Sequence, residues 1–249
     1  MIKEKLDEYL EFDSSLLFGD GTFITDFRDR GITYTKLVRV FGGALRDIIA
    51  EQPINDVDIL IGTKSMNFVD KVLVEMGYIY HESLAPKDLS SVYDMNMVIS
   101  EPHSYVKGNK VVQLIRPRVM SVDKPSLVTQ DLYKQSFIDL IANVDISCCG
   151  ISYDGKNLYQ NYPGAISHAK MKKFIVNNFA KMYNQKRISH RRWKLIDRGW
   201  EELNGLSDYR DFKIDAIFDA ETFEYIDESN KVPHNTKQFN GDLDINFFL

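Results

Sequence analysis

The chain has 249 residues, of which 44% are hydrophobic and 27% charged, and this supplies enough apolar material for a sizeable core. Its 14 glycines and 7 prolines are too few for a collagen-like or low-complexity chain. No run approaches the ~20 apolar residues of a membrane span, and the charged N-terminus lacks the apolar block of a signal peptide. These features predict a cytoplasmic protein without a membrane partner.

The net charge of −5 hides an uneven distribution. Residues 170–198 contain ten Lys or Arg and one acid, whereas residues 201–249 contain twelve acids and four bases. A concentrated basic segment of this kind favours contact with an anionic partner. The sequence therefore predicts an anion-facing segment that is followed by an acidic tail.

The first part of the chain alternates between helical and strand patterns. The patterns predict helices at 2–12, 22–30, 44–51, about 65–77 and about 129–142, and strands at 34–41, 56–62, 78–81, 92–99, 110–116 and 145–153. The strand at 34–41 is rich in β-branched residues and closes at Gly42-Gly43, and Pro53 stops the short helix that follows. We find no internal repeat.

From about residue 165 the pattern is mostly helical. Four basic residues lie at i, i+4, i+7 and i+11 along one predicted helix face: Arg187, Arg191, Lys194 and Arg198. This face predicts a surface for a triphosphate or a nucleic-acid backbone, with Arg191 and Lys194 as nucleotide-binding candidates; the alternative is a solvated charged face. Helical spacing favours core positions for Trp193 and Trp200. The ending FNGDLDINFFL is a disordered tail or a docking segment, and the sequence does not decide between them.

The two cysteines of the chain are neighbours, Cys148 and Cys149, inside an apolar run. Adjacent residues do not reach disulfide geometry without a distorted backbone, and two neighbouring thiols lack the spacing of a zinc site. The sequence predicts buried, reduced thiols.

The stretch VFGGALRDIIAEQPINDVDILIG at residues 40–62 carries the chemistry. A strand runs into Gly42-Gly43, a short helix begins, and the next strand carries Asp56 and Asp58 two residues apart, hence on one face. Such a carboxylate pair is suited to Mg²⁺ together with substrate phosphates. The two glycines let the backbone approach a phosphate, and Arg46 can add a fork of donors. The combination predicts a two-metal site for phosphoryl-type transfer.

The segment GGALRDIIAEQPINDVDI resembles the head-domain signature of poly(A) polymerases and tRNA nucleotidyltransferases, closest to the bacterial class II CCA-adding form, in the DNA polymerase β superfamily. Fainter similarity continues through VVQLIRPR and VDISCCGISYD, so that the resemblance covers roughly residues 35–165. It implies that Gly42, Gly43, Arg46 and Asp47 belong to the nucleotide site. It also implies that Asp56 and Asp58 bind the metals.

The resemblance further implies that Asp145, which matches the aspartate of the family's R-R-D-F-T segment, contacts the incoming nucleotide. Asp145 is also our candidate for the third catalytic and metal-binding carboxylate; the alternative is that metal binding is weakened. Two positions depart from the family. Gln113 stands where the third carboxylate is expected, and Val144 stands where an arginine of the nucleotide-reading pair is expected. A neutral amide cannot balance metal charge, and the missing arginine argues against selection of CTP and ATP in the CCA-adding manner.

Together these features predict an α+β fold: a nucleotidyltransferase head at 1–165 with a mixed sheet flanked by helices, and a small helical region at 166–249. The predicted function is Mg²⁺-dependent transfer of a nucleoside monophosphate from an NTP to an acceptor hydroxyl, with an RNA 3′ end favoured as acceptor. The alternatives are transfer to a protein or small molecule, as in toxin, resistance or phage enzymes, and a decayed head that only binds nucleotide or RNA. The base of the NTP and the oligomeric state stay open.

Overall fold

A computed structural model describes residues 1–19, 25–27, 32–34, 38–61, 65–81, 98–99, 103–115, 117–118, 144–176, 185–203 and 216–227. The fold is α+β, with a mixed sheet and helices, as predicted. The predicted helix at 129–142, most of the strand at 92–99 and the ending from 239 lie outside the described residues. Within the described ranges, no helix is long and apolar enough to cross a membrane.

The helices are α1 (Ile2–Leu10), α2 (Ser15–Phe18), α3 (Gly43–Ile49), α4 (Met66–Glu75), α5 (Ala165–Lys170) and α6 (Gln185–Asp197), with a 3-10 turn at Ser147–Cys149. The strands are β1 (Thr25–Phe27), β2 (Ile32–Tyr34), β3 (Val38–Phe41), β4 (Val57–Ile61), β5 (Ile79–Tyr80), β6 (Val98–Ile99), β7 (His103–Lys107), β8 (Lys110–Ile115), β9 (Pro117–Arg118), β10 (Ile151–Tyr153), β11 (Leu158–Gln160), β12 (Lys173–Phe174), β13 (Glu201–Glu202), β14 (Ala216–Phe218) and β15 (Tyr225–Asp227).

A nine-stranded sheet organises the described part of the chain, in the order β15-β14-β11-β10-β3-β4-β8-β7-β5. The β4–β8 pair is parallel and the other pairs in this sheet are antiparallel. The strands β3 and β4, which flank the glycine turn and the carboxylates, are therefore central and paired on both sides. Central strands are held by hydrogen bonds along both edges, so they give the candidate site a rigid base.

One face of this sheet packs against the helices. The side chains on that face alternate along each strand, as in Val57, Ile59 and Ile61 of β4, and they join the main apolar cluster. The amphipathic helix α1 buries Ile2, Leu6, Tyr9 and Leu10, and it lies against α3. Asp58 and Leu60 consequently point to the opposite face.

The region after residue 165 is less helical than predicted. Besides α5 and α6 it contains β14 and β15, which extend the same sheet through the β11–β14 pairing. Residues on the two sides of position 165 thus share one sheet. The division into a 1–165 head and a 166–249 region stays a prediction.

Two local predictions were wrong. Thr25–Phe27, inside the predicted helix at 22–30, forms β1 and pairs with β2, so tertiary pairing overrides the helical pattern. The predicted strand at 145–153 begins instead with the 3-10 turn and becomes a strand only at Ile151. Cys148 and Cys149 in that turn are buried and reduced, which confirms the prediction for the thiols.

Gly150 connects the 3-10 turn to β10, and no larger residue fits there. A Cβ atom at this position would lie 2.1 Å from Tyr162 Cβ and 3.0 Å from the Tyr162 backbone nitrogen. Tyr162 is buried, and its N–H donates to the Gly150 carbonyl. The backbone would therefore have to shift.

We predict that Gly150→Ala lowers the free energy of unfolding by about 3 kcal/mol, because overpacking forces a backbone shift in a packed core. Gly108→Ala is the matched control, since a Cβ there meets nothing within 4 Å and only the positive φ of 58° adds cost, of about 1 kcal/mol. Urea unfolding monitored by circular dichroism measures both. Equal losses in the two variants would contradict the steric explanation.

Candidate active site

The Gly42-Gly43 turn leaves β3 directly beside the start of β4. Phe41, the last residue of β3, pairs with Asp58 in β4. Gly42 has φ 78° and ψ −131°, a conformation that is essentially restricted to glycine. A Cβ at Gly42 would meet nothing within 4 Å. The turn thus combines a backbone that only glycine adopts readily with open space above it.

The two carboxylates of the predicted metal pair lie at this end of β4. Asp56 is exposed and immediately precedes the strand, whereas Asp58 is half-buried at its second position. The segment before them is fixed by Tyr9 of α1, whose hydroxyl donates to the Asn55 carbonyl at 2.7 Å and accepts from the Val111 N–H at 2.9 Å. Helix α1 therefore fixes the position of the residues just before β4, and with it the position of Asp56.

Gln113 is the neighbour of Asp58 on the next strand. The parallel β4–β8 register pairs the two residues, and Gln113 pairs in turn with Ser104 of β7. Paired residues point to the same face of a sheet. An amide therefore stands beside Asp58 on the face that carries the carboxylates, at the position where a third acid was expected from the family resemblance.

Arg46 lies next to the glycine turn with its guanidinium held on three sides. Its Nε donates to Asp47 Oδ1 at 2.8 Å, and its Nη2 forms an ion pair with the same oxygen at 2.8 Å. Its Nη1 donates to Cys149 Sγ at 3.4 Å, and its Cζ lies 5.5 Å from the centroid of the Trp200 ring. Nη2 is also 3.5 Å from the place that a Cβ of Gly43 would occupy. Among the described residues these contacts engage Nε, Nη1 and Nη2 once each, and each terminal nitrogen carries a second N–H group.

Asp47 forms ion pairs with two arginines, Arg46 and Arg198. Its side chain is only 2% exposed, and its second oxygen accepts from Arg198 Nη1 at 3.2 Å. A carboxylate this deeply buried requires paired charges and hydrogen bonds. Asp47 therefore orients Arg46, and as an acceptor-only group it is not placed to bind a phosphate itself.

A corner at the end of α6 completes this side of the site. Gly199 has a φ of 83°, and the turn brings Trp200 back towards α3. The Trp200 indole N–H donates to Gln52 Oε1 at 2.9 Å, and Gln52 Nε2 donates to the Arg198 carbonyl at 3.2 Å. No sequence pattern singled out Gln52, Arg198 or Trp200 individually as site residues. Only the basic face that includes Arg198 gave any local signal.

Asp145 and Arg191 are brought together. Arg191 Nη1 donates to both carboxylate oxygens of Asp145, at 2.6 and 2.8 Å. Arg191 is therefore a partner of the predicted third carboxylate, while Lys194, one turn further along α6, is exposed. The structure does not describe the side chain of Arg187. The basic face of α6 thus docks on the rest of the protein through Arg191 and Arg198.

Trp193 was expected in the core, and this was wrong. Its side chain is 59% exposed, whereas Leu195 and Trp200 are buried. Trp193 stands between the exposed residues Arg192 and Lys194 on the outer side of α6. A flat aromatic side chain among cations is typical of surfaces on which nucleic-acid bases stack.

The three predicted metal-binding carboxylates do not form one cluster. Within the described ranges, which include all three, no group of three or more His, Cys, Asp or Glu side chains could hold a metal ion. Asp56 and Asp58 remain as a pair at the glycine turn, and Asp145 is engaged by Arg191. Mg²⁺ commonly uses one or two carboxylates plus substrate phosphates, so the donors present fit a metal that arrives with a triphosphate.

The two buried thiols differ in acidity. A hydrogen bond from the Cys148 thiol, helped by Arg46 and Arg191, lowers the pKa of Cys149 to about 7, while burial raises the pKa of Cys148. Because the pKa of Cys149 is lower in the folded than in the unfolded chain, its contribution to stability is complete above the ordinary thiol pKa. That contribution is lost as the pH falls through about 7.

Comparisons with known proteins return a structural likeness alone. No protein-family profile and no curated protein matches the sequence. A CCA-adding enzyme in complex with ATP matches with a TM-score of 0.49 at 14% identity, over 82% of this chain and 42% of that one. The Thermotoga maritima CCA-adding enzyme in complex with tRNA matches with a TM-score of 0.47 at 15% identity, over 82% and 42%. A tRNA nucleotidyltransferase with a primer tRNA and an incoming ATP analogue gives a TM-score of 0.42 at 13% identity, over 67% and 43%.

The chain is similar in structure to CCA-adding enzymes. The chain spans 42% or 43% of the length of each of these three structures. It spans 36% of the length of a further match, a CCA-adding enzyme in complex with CTP.

The contact between Arg46 and Cys149 yields a test that needs no ligand. We predict that Arg46→Gln raises the pKa of Cys149, because the variant loses a cation that stabilises the thiolate. Thiolate absorbance in the ultraviolet, recorded against pH, measures this, and Cys149→Ser identifies the signal. Arg192→Gln serves as the matched control, because it removes a different arginine, one of α6 that forms an ion pair with Glu202 of β13. If both arginine variants titrate alike, Arg46 does not act on this thiol.

Proposed function

We propose that this chain is a Mg²⁺-dependent nucleotidyltransferase, which moves a nucleoside monophosphate from an NTP to an acceptor hydroxyl and releases pyrophosphate. The observation that carries the proposal is the β3–β4 register. It places the glycine turn directly beside Asp56 and Asp58. A phosphate-accepting backbone and a pair of oxygen ligands for Mg²⁺ thus share one end of the sheet.

The residues divide the work between the phosphates and the metal. Gly42 and Gly43 admit the triphosphate to the backbone, and the remaining N–H groups of Arg46 bind its oxygens. Asp56 and Asp58 hold Mg²⁺, which when bound offsets the charge of the reacting phosphates. The acceptor hydroxyl oxygen bonds to the α-phosphorus and loses its proton to solvent water, and the bond from that phosphorus to the leaving pyrophosphate breaks.

For Asp145 we propose a role at the nucleotide together with Arg191. The pair is charge-balanced, with Asp145 mostly buried and Arg191 partly exposed, and the charges of both residues act on Cys149. One nitrogen of Arg191 donates to both oxygens of Asp145, which holds the two side chains together. Lys194, exposed on the same helix, is proposed to meet the nucleotide or the acceptor from solvent.

We propose an RNA 3′ end as the acceptor. The signature at residues 42–59 supports this, and so does the exposed Trp193 among the cations of α6. Aromatic stacking is worth about 1–3 kcal/mol per base and is tolerant of sequence.

Gln113 favours a second candidate function, a protein that binds nucleotide or RNA without transferring it. The amide beside Asp58 leaves two acidic ligands at the glycine turn. Incubation with each α-labelled NTP, Mg²⁺ and whole-cell RNA plus protein separates the candidates. Label in RNA supports the proposal, label in protein supports the alternative acceptor, and binding without label transfer supports the second candidate.

We predict that Asp56→Asn and Asp58→Asn each reduce label transfer by at least ~100-fold, because an amide lacks the charge that holds Mg²⁺. Both variants should remain folded, since Asp56 is exposed and Asp58 keeps a side chain of the same size. Single-turnover assays with thermal melts measure this. Near-normal turnover in either folded variant would remove that residue from the metal site.

The turn itself makes a separate prediction. Gly42→Ala should weaken binding of Mg²⁺-NTP by at least ~10-fold in calorimetry, because the new methyl group enters the open space proposed for a phosphate. Apart from the adjoining residues, no described atom lies within 4 Å of that methyl position. Gly108→Ala, also at a positive φ with open space, is the control and should bind as the parent does. Unchanged affinity in folded Gly42→Ala would place the triphosphate elsewhere.

A further inference from the structure

We propose that Arg198 is a positioning residue for the triphosphate: acting through Asp47, it fixes the guanidinium of Arg46 against the Gly42-Gly43 turn. The inference rests on the proposed function and extends it beyond the head signature. Arg198 lies 151 positions from Asp47 in the sequence, at the end of α6.

The two carboxylate oxygens of Asp47 contact two different arginines. One carboxylate oxygen accepts from Arg46 Nε and pairs with Arg46 Nη2, and the other accepts from Arg198 Nη1 at 3.2 Å. The carboxylate is almost completely buried, so each oxygen depends on these donors rather than on water. Removing the Arg198 donor leaves a buried oxygen that can be satisfied only if Asp47 turns, and Arg46 turns with it.

Arg198 is itself held in place. Its Nη2 donates to the Pro53 carbonyl at 3.4 Å, and its own carbonyl accepts from Gln52 Nε2 at 3.2 Å. Gln52 is tied to Asp47 through its backbone N–H, which donates to the Asp47 carbonyl at 2.8 Å. Arg198 thus makes three hydrogen bonds to α3 and the residues that follow it, with the Asp47 side chain, the Gln52 side chain and the Pro53 backbone carbonyl.

Trp200 completes the set of contacts around the Arg46 guanidinium. Trp200, two residues after Arg198, is buried with its ring 5.5 Å from the guanidinium carbon of Arg46, and its indole N–H holds Gln52. Asp47, Cys149 and Trp200 then limit the guanidinium on separate sides. Nη2 and Nη1 lie 3.5 and 3.9 Å from the position that a Cβ of Gly43 would occupy, so the second N–H group of each is near the glycine turn.

The test measures binding of Mg²⁺-tripolyphosphate, which reports on the triphosphate site whatever the base of the nucleotide. Calorimetry compares the parent chain with Arg46→Gln, Arg198→Gln and the double variant. We expect Arg198→Gln to weaken binding roughly tenfold, the scale of one charged hydrogen bond. The double variant should bind no more weakly than Arg46→Gln alone, because Arg198 acts only through Arg46.

Two further variants sharpen the comparison. Arg192→Gln removes a cation from the same helix, at the pair with Glu202, and should bind as the parent does. Arg198→Lys keeps a cation at Asp47 and should give an intermediate affinity; it also replaces Arg198→Gln if that variant does not fold in thermal melts. An additive loss in the double variant, or parental affinity in folded Arg198→Gln, would overturn the inference.

A ligand-free measurement separates this inference from the proposed function. Cys149 contacts Arg46 Nη1, so its thiolate should form at higher pH in Arg198→Gln if the guanidinium has been released. If the parent chain does not bind tripolyphosphate, the proposed function fails, and the thiol measurement alone decides whether Arg198 holds Arg46. A thiol titration unchanged from the parent would then count against the positioning role.

Discussion

The buried carboxylate of Asp47 is the constraint on which the rest of the candidate site depends. A charge that has left water must be compensated nearby, and here the compensation comes from Arg46 on one side and Arg198 on the other. The demand of a single buried charge therefore fixes two cations. One of them lies at the glycine turn, and the other joins the end of α6 to the end of α3.

The sheet supplies the second part of the arrangement. Because β3 and β4 are paired centrally, the turn after Phe41 and the acids around Val57 have no freedom to slide relative to one another. A shift of one residue would exchange Asp58 for a core residue on the opposite face. The carboxylates and the phosphate-accepting turn are thus placed by backbone pairing, whereas Arg46 is placed by side-chain contacts.

The parts of the fold that the sequence predicted are those determined locally. The strand, glycine turn, short helix and acidic strand between residues 38 and 61 follow from β-branched runs, glycines and Pro53, and the structure contains each of them. The pairs Asp145–Arg191 and Asp47–Arg198 join distant positions, and no periodicity encodes them. The exposure of Trp193 escaped prediction for a related reason: its spacing fits a buried stripe, but α6 presents another side to the protein. The addition of β14 to β11 likewise depends on a sheet edge that only the assembled fold provides.

The separation of Arg198 from Asp47 along the chain has a consequence for the order in which the site is assembled. The turn and the acidic strand lie within about twenty residues, so bringing them together closes a short loop, whereas the Asp47–Arg198 contact closes one of 151 residues. The entropy lost in closing a loop grows with the logarithm of its length, by about 0.6 kcal/mol for each doubling. The length of the longer loop is about three doublings of the length of the shorter one. The contact that orients Arg46 is therefore costlier to form by about 2 kcal/mol of chain entropy. A partly folded chain therefore acquires its glycine turn and carboxylates before its oriented arginine, and on unfolding from the C-terminal side it loses that arginine first.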